Sequence, residues 1–201
     1  MSYTDFTLDQ LHTDFGIKNK IKSLFLKKEP IEPSDWLKST LKKFSKVHAR
    51  TEKAKSETIV FPILYELKER NNDFITIFSG DSLNVDINKG LKGECDFIIT
   101  KNTESYDINF PIIQVVEAKN HDLEIGVPLC AAQMVGAKLF NEKKNVPIEI
   151  IYGCVTTGDE WLFMQLGKDL LIDDKKYYIV ELGDLLSTFQ QIIDYYKENL
   201  K

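Results

Sequence analysis

Two charged residues, Glu117 and Lys119, close the apolar run Pro111-Ile112-Ile113-Gln114-Val115-Val116-Glu117-Ala118-Lys119-Asn120. Side chains alternate along a strand, so both charges point to one side at the mouth of a greasy element. Upstream, Ile113 and Val115 occupy one face and Ile112 and Val116 the other. That pattern suits a central strand covered on both sides. Asp96, in Gly93-Glu94-Cys95-Asp96, starts a second strand whose short connection to the first allows antiparallel pairing. Asp96 and Glu117 then meet. Two carboxylates brought together repel and raise each other's pKa unless a cation lies between them. A hard divalent ion with oxygen ligands resolves the conflict, Mg²⁺ first and Mn²⁺ as the alternative. Lys119 beside such an ion could orient an attacking water and offset developing negative charge.

Two helical residues join this set. Glu57 falls at helical spacing on the stripe of Val60, Phe61, Leu64 and Leu67, which predicts a carboxylate on a buried face. Arg50 and Lys53 lie upstream near the same stripe. Gln133 shares its stripe with Leu129, Gly136, Ala137 and Phe140, and the small pair would let that helix approach the sheet. Each residue alone has a plain structural explanation. Glu117 and Lys119 could form a strand-end ion pair, and Asp96 could cap a turn. Glu57 could favour a helix dipole, and Gln133 could be a satisfied amide. His12, His48 and His121 have no ligand spacing and are assigned to structure.

The elements that must position these groups follow from periodicity. Apolar positions from Leu8 to Phe25 predict helix in two pieces, broken at Gly16. Glu29-Pro30-Ile31-Glu32-Pro33 is a connector, and Ser34 N-caps the next helix. A helix over 54–70 is kinked or restarted by Pro62. Strands are expected at 74–78, 83–87, 93–100 and 111–119, with a polar hairpin-like loop over 101–109. A helix over 128–141 follows, opened by Pro128. Further strands are expected at 148–155, 161–166, 169–172 and 177–180, and a last helix at 182–199. This order predicts a mixed α/β fold with helices on both faces of a sheet.

The chain of 201 residues can bury a sizeable core. It shows no apolar run near the roughly 20 residues needed to span a bilayer. Its N-terminus lacks the pattern of a signal peptide. Cys95, Cys130 and Cys154 read as reduced, buried thiols, so the expectation is a cytoplasmic protein without membrane contact. The net charge of −5 hides an asymmetry: 12 Lys/Arg face 4 Asp/Glu between Lys18 and Lys55, or +8, leaving −13 elsewhere. A basic flank beside an acidic site suits phosphate contacts, although solvated lysine faces explain the count equally well.

Taken together and in order, helical Glu57, Gly93-Glu94-Cys95-Asp96, Val115-Val116-Glu117-Ala118-Lys119 and helical Gln133 resemble the PD-(D/E)XK nuclease superfamily over about residues 50–165. The stretch also resembles the N-terminal nuclease domains of type I restriction enzymes, without their motor domains. The resemblance implies a restriction-endonuclease-like core over 51–201, a central mixed β-sheet flanked by helices, with an N-terminal helical extension over 1–50. It implies Asp96, Glu117 and the Ala118 carbonyl as metal ligands, Lys119 as the catalytic lysine and Glu57 as an accessory acid. Gln133 matches the helix glutamine of some subfamilies, but Ala137 stands where a tyrosine can follow it, and Cys95-Asp96 replaces the leading Pro-Asp pair. The implied activity is Mg²⁺-dependent hydrolysis of phosphodiester bonds, in DNA more than RNA. Two other readings stay open: a non-catalytic nucleic-acid-binding or assembly module that keeps the fold, and structure-selective cleavage of branched DNA by a homodimer.

Overall fold

The computed structural model describes residues 1–101, 107–108 and 110–200. The loop expected over 101–109 therefore lies largely outside the described residues. The fold is α/β: one mixed sheet of eight strands flanked by helices. In chain order the elements are α1 (Leu8–Phe15), β1 (Asn19–Ile21), α2 (Asp35–Phe44) and α3 (Glu52–Lys55), which runs through a π-helical turn, Ser56–Val60, into α4 (Phe61–Arg70). Next come β2 (Ile75–Ser82), β3 (Glu94–Lys101), β4 (Ile112–Ala118), α5 (Leu123–Lys143), β5 (Ile151–Thr156), β6 (Glu160–Leu166), β7 (Leu170–Ile172), β8 (Tyr177–Tyr178) and α6 (Leu182–Asn199). The strand order is β1-β7-β6-β5-β4-β3-β2, with β8 paired to β6.

β4 lies inside this sheet, and every one of its residues is buried. It runs antiparallel to β3 and parallel to β5. A parallel neighbour demands a crossover, and α5 supplies it. α5 is long and apolar enough to cross a membrane by length and composition, contrary to the expectation of no such run. In the fold it is mostly buried against the sheet, as an all-round apolar core helix should be. It starts five residues before Pro128, capped by Asp122. Close packing against β5 depends on glycine: a Cβ on Gly153 would come within 2.3 Å of the Met134 sulfur. α6 covers the opposite face, where the Tyr196 hydroxyl donates to the carbonyls of Ile113 and Ile150.

The N-terminal segment departs from an all-helical extension. Gly16, in the left-handed region at φ 70°, ends α1. Residues 19–21 then form an edge strand parallel to β7. Lys18, Lys20 and Lys22 belong to this edge, not to a helix, and charged edge residues discourage pairing with other chains. Tyr3, Phe6 and Leu11 enter the core, and the Tyr3 hydroxyl donates to the Leu83 carbonyl. The weak strand expected over 83–87 reduces to one bridge, Asp86 with Leu91, because Asn88-Lys89-Gly90 turns the chain immediately.

α2 is fastened to α4 by one buried carboxylate. Glu66 accepts from the Ser34 N–H at 3.0 Å, the Ser34 hydroxyl at 2.5 Å and Arg70 Nη2 at 2.7 Å. Burial alone would raise its pKa, but the donors from Ser34 and Arg70 outweigh it and hold the carboxyl below its ordinary value. Its stabilisation is therefore complete above the ordinary glutamate range and is lost as pH falls through the depressed value. We predict that Glu66→Ala lowers stability by about 2–3 kcal/mol at pH 7. In urea titrations that difference should shrink as pH falls below the ordinary glutamate range; an unchanged difference would show that the charged bonds do not matter.

Candidate active site

One step beyond the Phe97–Val116 pair, antiparallel register sets Asp96 opposite Glu117. Glu117 reaches Gln133 of α5, and Asp96 borders a cleft walled by residues 51–57. Asp96 accepts from the Ala118 N–H through Oδ2 at 2.7 Å. Glu117 accepts from Lys119 Nζ through Oε1 at 2.7 Å and from Gln133 Nε2 through Oε2 at 2.8 Å. Lys119 itself is held by its backbone N–H, which donates to the Thr156 carbonyl at 2.7 Å. Its side-chain stem passes Gly126 of α5, where a Cβ would lie 3.0 Å from Lys119 Cγ and 2.4 Å from Val155 Cγ1. Glycine at that position lets α5 cross the end of β4 without displacing the lysine.

Charge is concentrated here under partial exclusion of water. Burial, and then the charge of Asp96, push the Glu117 carboxyl up to about 7. Burial also raises Asp96, against the Ala118 N–H and Lys119, which lower it. For Lys119, burial acts to lower the pKa, but Glu117 outweighs it and keeps the amine a firm cation. Two carboxylates thus share one ammonium.

A cleft of about 690 Å³ opens onto Asp96. Glu52, Lys53, Glu57, Gly80, Phe97 and Asn120 are among its lining. Glu57 occupies this wall but not the buried face expected for it: its side chain is 65 % exposed and 4.0 Å from Lys53. The cause is the π-helical turn, in which the Phe61 N–H bonds the Ser56 carbonyl five residues back. That extra residue breaks the stripe on which Glu57 was counted. Arg50 and Lys53 are exposed as well. Glu52, which helical counting passed over, stands closer to the chemistry. It accepts from the Asn120 N–H at 3.2 Å, and its charge acts on both Asp96 and Lys119. Lys55 grips the same loop by donating to the Asn120 carbonyl at 2.7 Å. Thr51, whose hydroxyl caps the Ala54 N–H, was the available sign that a helix begins with Glu52 in its first turn. Asp96, Glu117, Lys119 and Gln133 are thus joined in one network with Ala118, and Glu57 stands at its rim.

The donor set is compatible with a hard cation. It offers carboxylate oxygens that repel one another. Gln133 Oε1 and Asn120 Oδ1 are also buried with no hydrogen-bond partner. No group of three or more His, Cys, Asp or Glu placed to hold an ion occurs among the described residues. An ion here would rest on two carboxylates and retain several waters, which is the habit of Mg²⁺. The three cysteines are buried and unpaired, and the three histidines are exposed, so neither type contributes. No family model, curated protein or solved structure matches the chain.

Glu117 gives a pH signature. The folded chain retains a proton that the unfolded chain releases, so this group costs stability progressively as pH rises from about 4.5 to about 7. The decrement is on the order of 3 kcal/mol. In EDTA, native protein minus Glu117→Gln should show that decrement across the same window by denaturant titration. Parallel pH profiles for the two proteins would refute the assignment.

Proposed function

We propose that this chain is a divalent-metal-dependent nuclease of the PD-(D/E)XK type, hydrolysing phosphodiester bonds in DNA. The observation that carries the reading is the placement of Asp96 and Glu117 as cross-strand neighbours with the Lys119 amine 2.7 Å from Glu117. Side chains on opposite faces of the sheet would have removed it. The sheet of mixed direction flanked by helices is compatible with a restriction-endonuclease-like core.

Asp96, Glu117 and the Ala118 carbonyl would hold Mg²⁺ or Mn²⁺. When bound, the ion polarises the scissile phosphate and acidifies a coordinated water. The remaining work belongs to the chain. Gln133 fixes one oxygen of Glu117 and Lys119 bonds the other, so the carboxylate cannot rotate away from Asp96. Lys119 presents a cation beside the position of attack, where it can orient the nucleophile and offset charge growing on the phosphate. Glu52 and Glu57 add negative charge at the cleft wall, which favours metal over a second bound anion.

The test uses purified protein with plasmid, single-stranded and branched DNA in Mg²⁺ or Mn²⁺. Cleavage should fall at least about 100-fold in Lys119→Ala. Glu117→Ala should also lose metal binding by calorimetry, a readout independent of turnover. Absence of both cleavage and metal binding in the native chain would leave the non-catalytic module as the reading.

A further inference from the structure

Four aromatic rings form a continuous file from the cleft to the protein surface. Phe97, in the cleft lining, stacks on Phe61 with centroids 6.5 Å apart and planes at 23°. Phe61 meets Tyr65 at 6.1 Å, and Tyr65 meets Trp36 of α2 at 5.1 Å. Only Phe97 is buried. Phe61, Tyr65 and Trp36 remain 42 %, 37 % and 47 % exposed, more than helix packing requires of such large apolar groups.

Unpaired cations accompany the file. Lys43 lies seven residues after Trp36, on the same stripe of α2. Lys42, Lys43, Lys46 and Arg50 are exposed and have no acidic partner among the described residues. The chain carrying them runs from the end of α2 directly to Thr51 in the cleft wall. Nearby, Tyr65 bonds Glu69, and Lys53 stands beside Glu57.

We propose that this file is a stacking platform for single-stranded nucleic acid, leading an unpaired strand into the carboxylate cleft. Partly exposed aromatic rings take bases without regard to sequence, and the lysines take the phosphates. A paired duplex hides its base faces, so the platform favours a single strand, flap or opened end. The inference rests on the nuclease reading only for what happens at the file's inner end.

The experiment is binding in EDTA, where cleavage is suspended. The probe is an oligothymidylate of roughly 12 nucleotides. Controls are the matching oligouridylate, a duplex, and an abasic strand of equal length. The chain has two tryptophans, and Trp161 is fully buried, so quenching by a strand must come from Trp36. The expected result is quenching by the base-bearing single strands. Affinities are read from the anisotropy of an end-labelled strand, which does not need Trp36: the abasic strand should bind at least about tenfold more weakly, and Trp36→Ala and Tyr65→Ala should each lose about tenfold, with Trp36→Phe retaining most affinity. Replacing Lys42, Lys43 and Lys46 by Gln should make the salt dependence shallower by about 0.7 per phosphate contact removed. Thermal melts of the variants check folding. Equal binding of abasic and base-bearing strands, or preference for duplex, overturns the platform. So does a change of oligomeric state in Trp36→Ala without loss of binding, which would make the patch an interface between copies. Oligothymidylate and oligouridylate compared separate DNA from RNA. Plasmid cleavage without stacking would remove the platform and leave the nuclease reading; stacking without cleavage in any metal would do the reverse.

Discussion

Asp96 and Glu117 are held side by side where water is partly excluded, and one lysine amine faces them. In isolation this is an expensive arrangement. Each carboxylate opposes ionisation of the other, and burial opposes ionisation of both. It persists because the β3–β4 ladder fixes the two backbones and cannot slip. A shift by one residue would carry Glu117 to the other face of the sheet, away from Gln133. The apolar content of that strand therefore does more than fill the core. Packed on both sides, it prevents the charged end from relaxing, so the repulsion stays in place.

Holding α5 near enough to reach Glu117 imposes a second constraint. Gln133 can touch Glu117 only if the helix lies almost on the sheet, and the volume is cleared at Gly126 and Gly153. Gly136, which the spacing suggested for that purpose, instead makes room for the Tyr3 ring, whose hydroxyl would sit 2.1 Å from a Cβ there. The N-terminus thus enters as a wedge alongside α5, and Tyr3 is buried with its hydroxyl bonded. The first residues of the chain belong to the packing that positions the site.

Legibility in the sequence followed the reach of the interactions. β4 could be read because apolar residues on both faces are a local pattern, and the alternation that set Glu117 and Lys119 on one side is a property of any strand. Opposing Asp96 needed only a short antiparallel connection. β1 could not be read in this way. Its three residues are all exposed, and only hydrogen bonds to β7, some 150 positions away, make it a strand. The basic count over residues 18–55 was real but mixed, since part of it guards that edge and part lies beside the aromatic file. α5 begins earlier than Pro128 suggests because Asp122 caps it, and a proline six positions into a helix carries the same local pattern as one at its start.

Glu57 was misplaced for a more instructive reason. Proline has no N–H, and its ring crowds the carbonyl four residues earlier, here Thr58. Widening the turn before Pro62 to π geometry relieves this crowding and leaves the Phe61 N–H bonded to Ser56. One extra residue rotates everything upstream by about 100° relative to α4. The segment 52–57 turns as a unit: Glu57 swings outward to the rim, while Glu52 comes round to the Asn120 loop beside Lys119. Downstream, Phe61 and Tyr65 stay one α-turn apart, so their rings meet over Phe97. The turn before Pro62 therefore decides which acid faces the lysine, while the aromatic pair downstream keeps ordinary helical spacing.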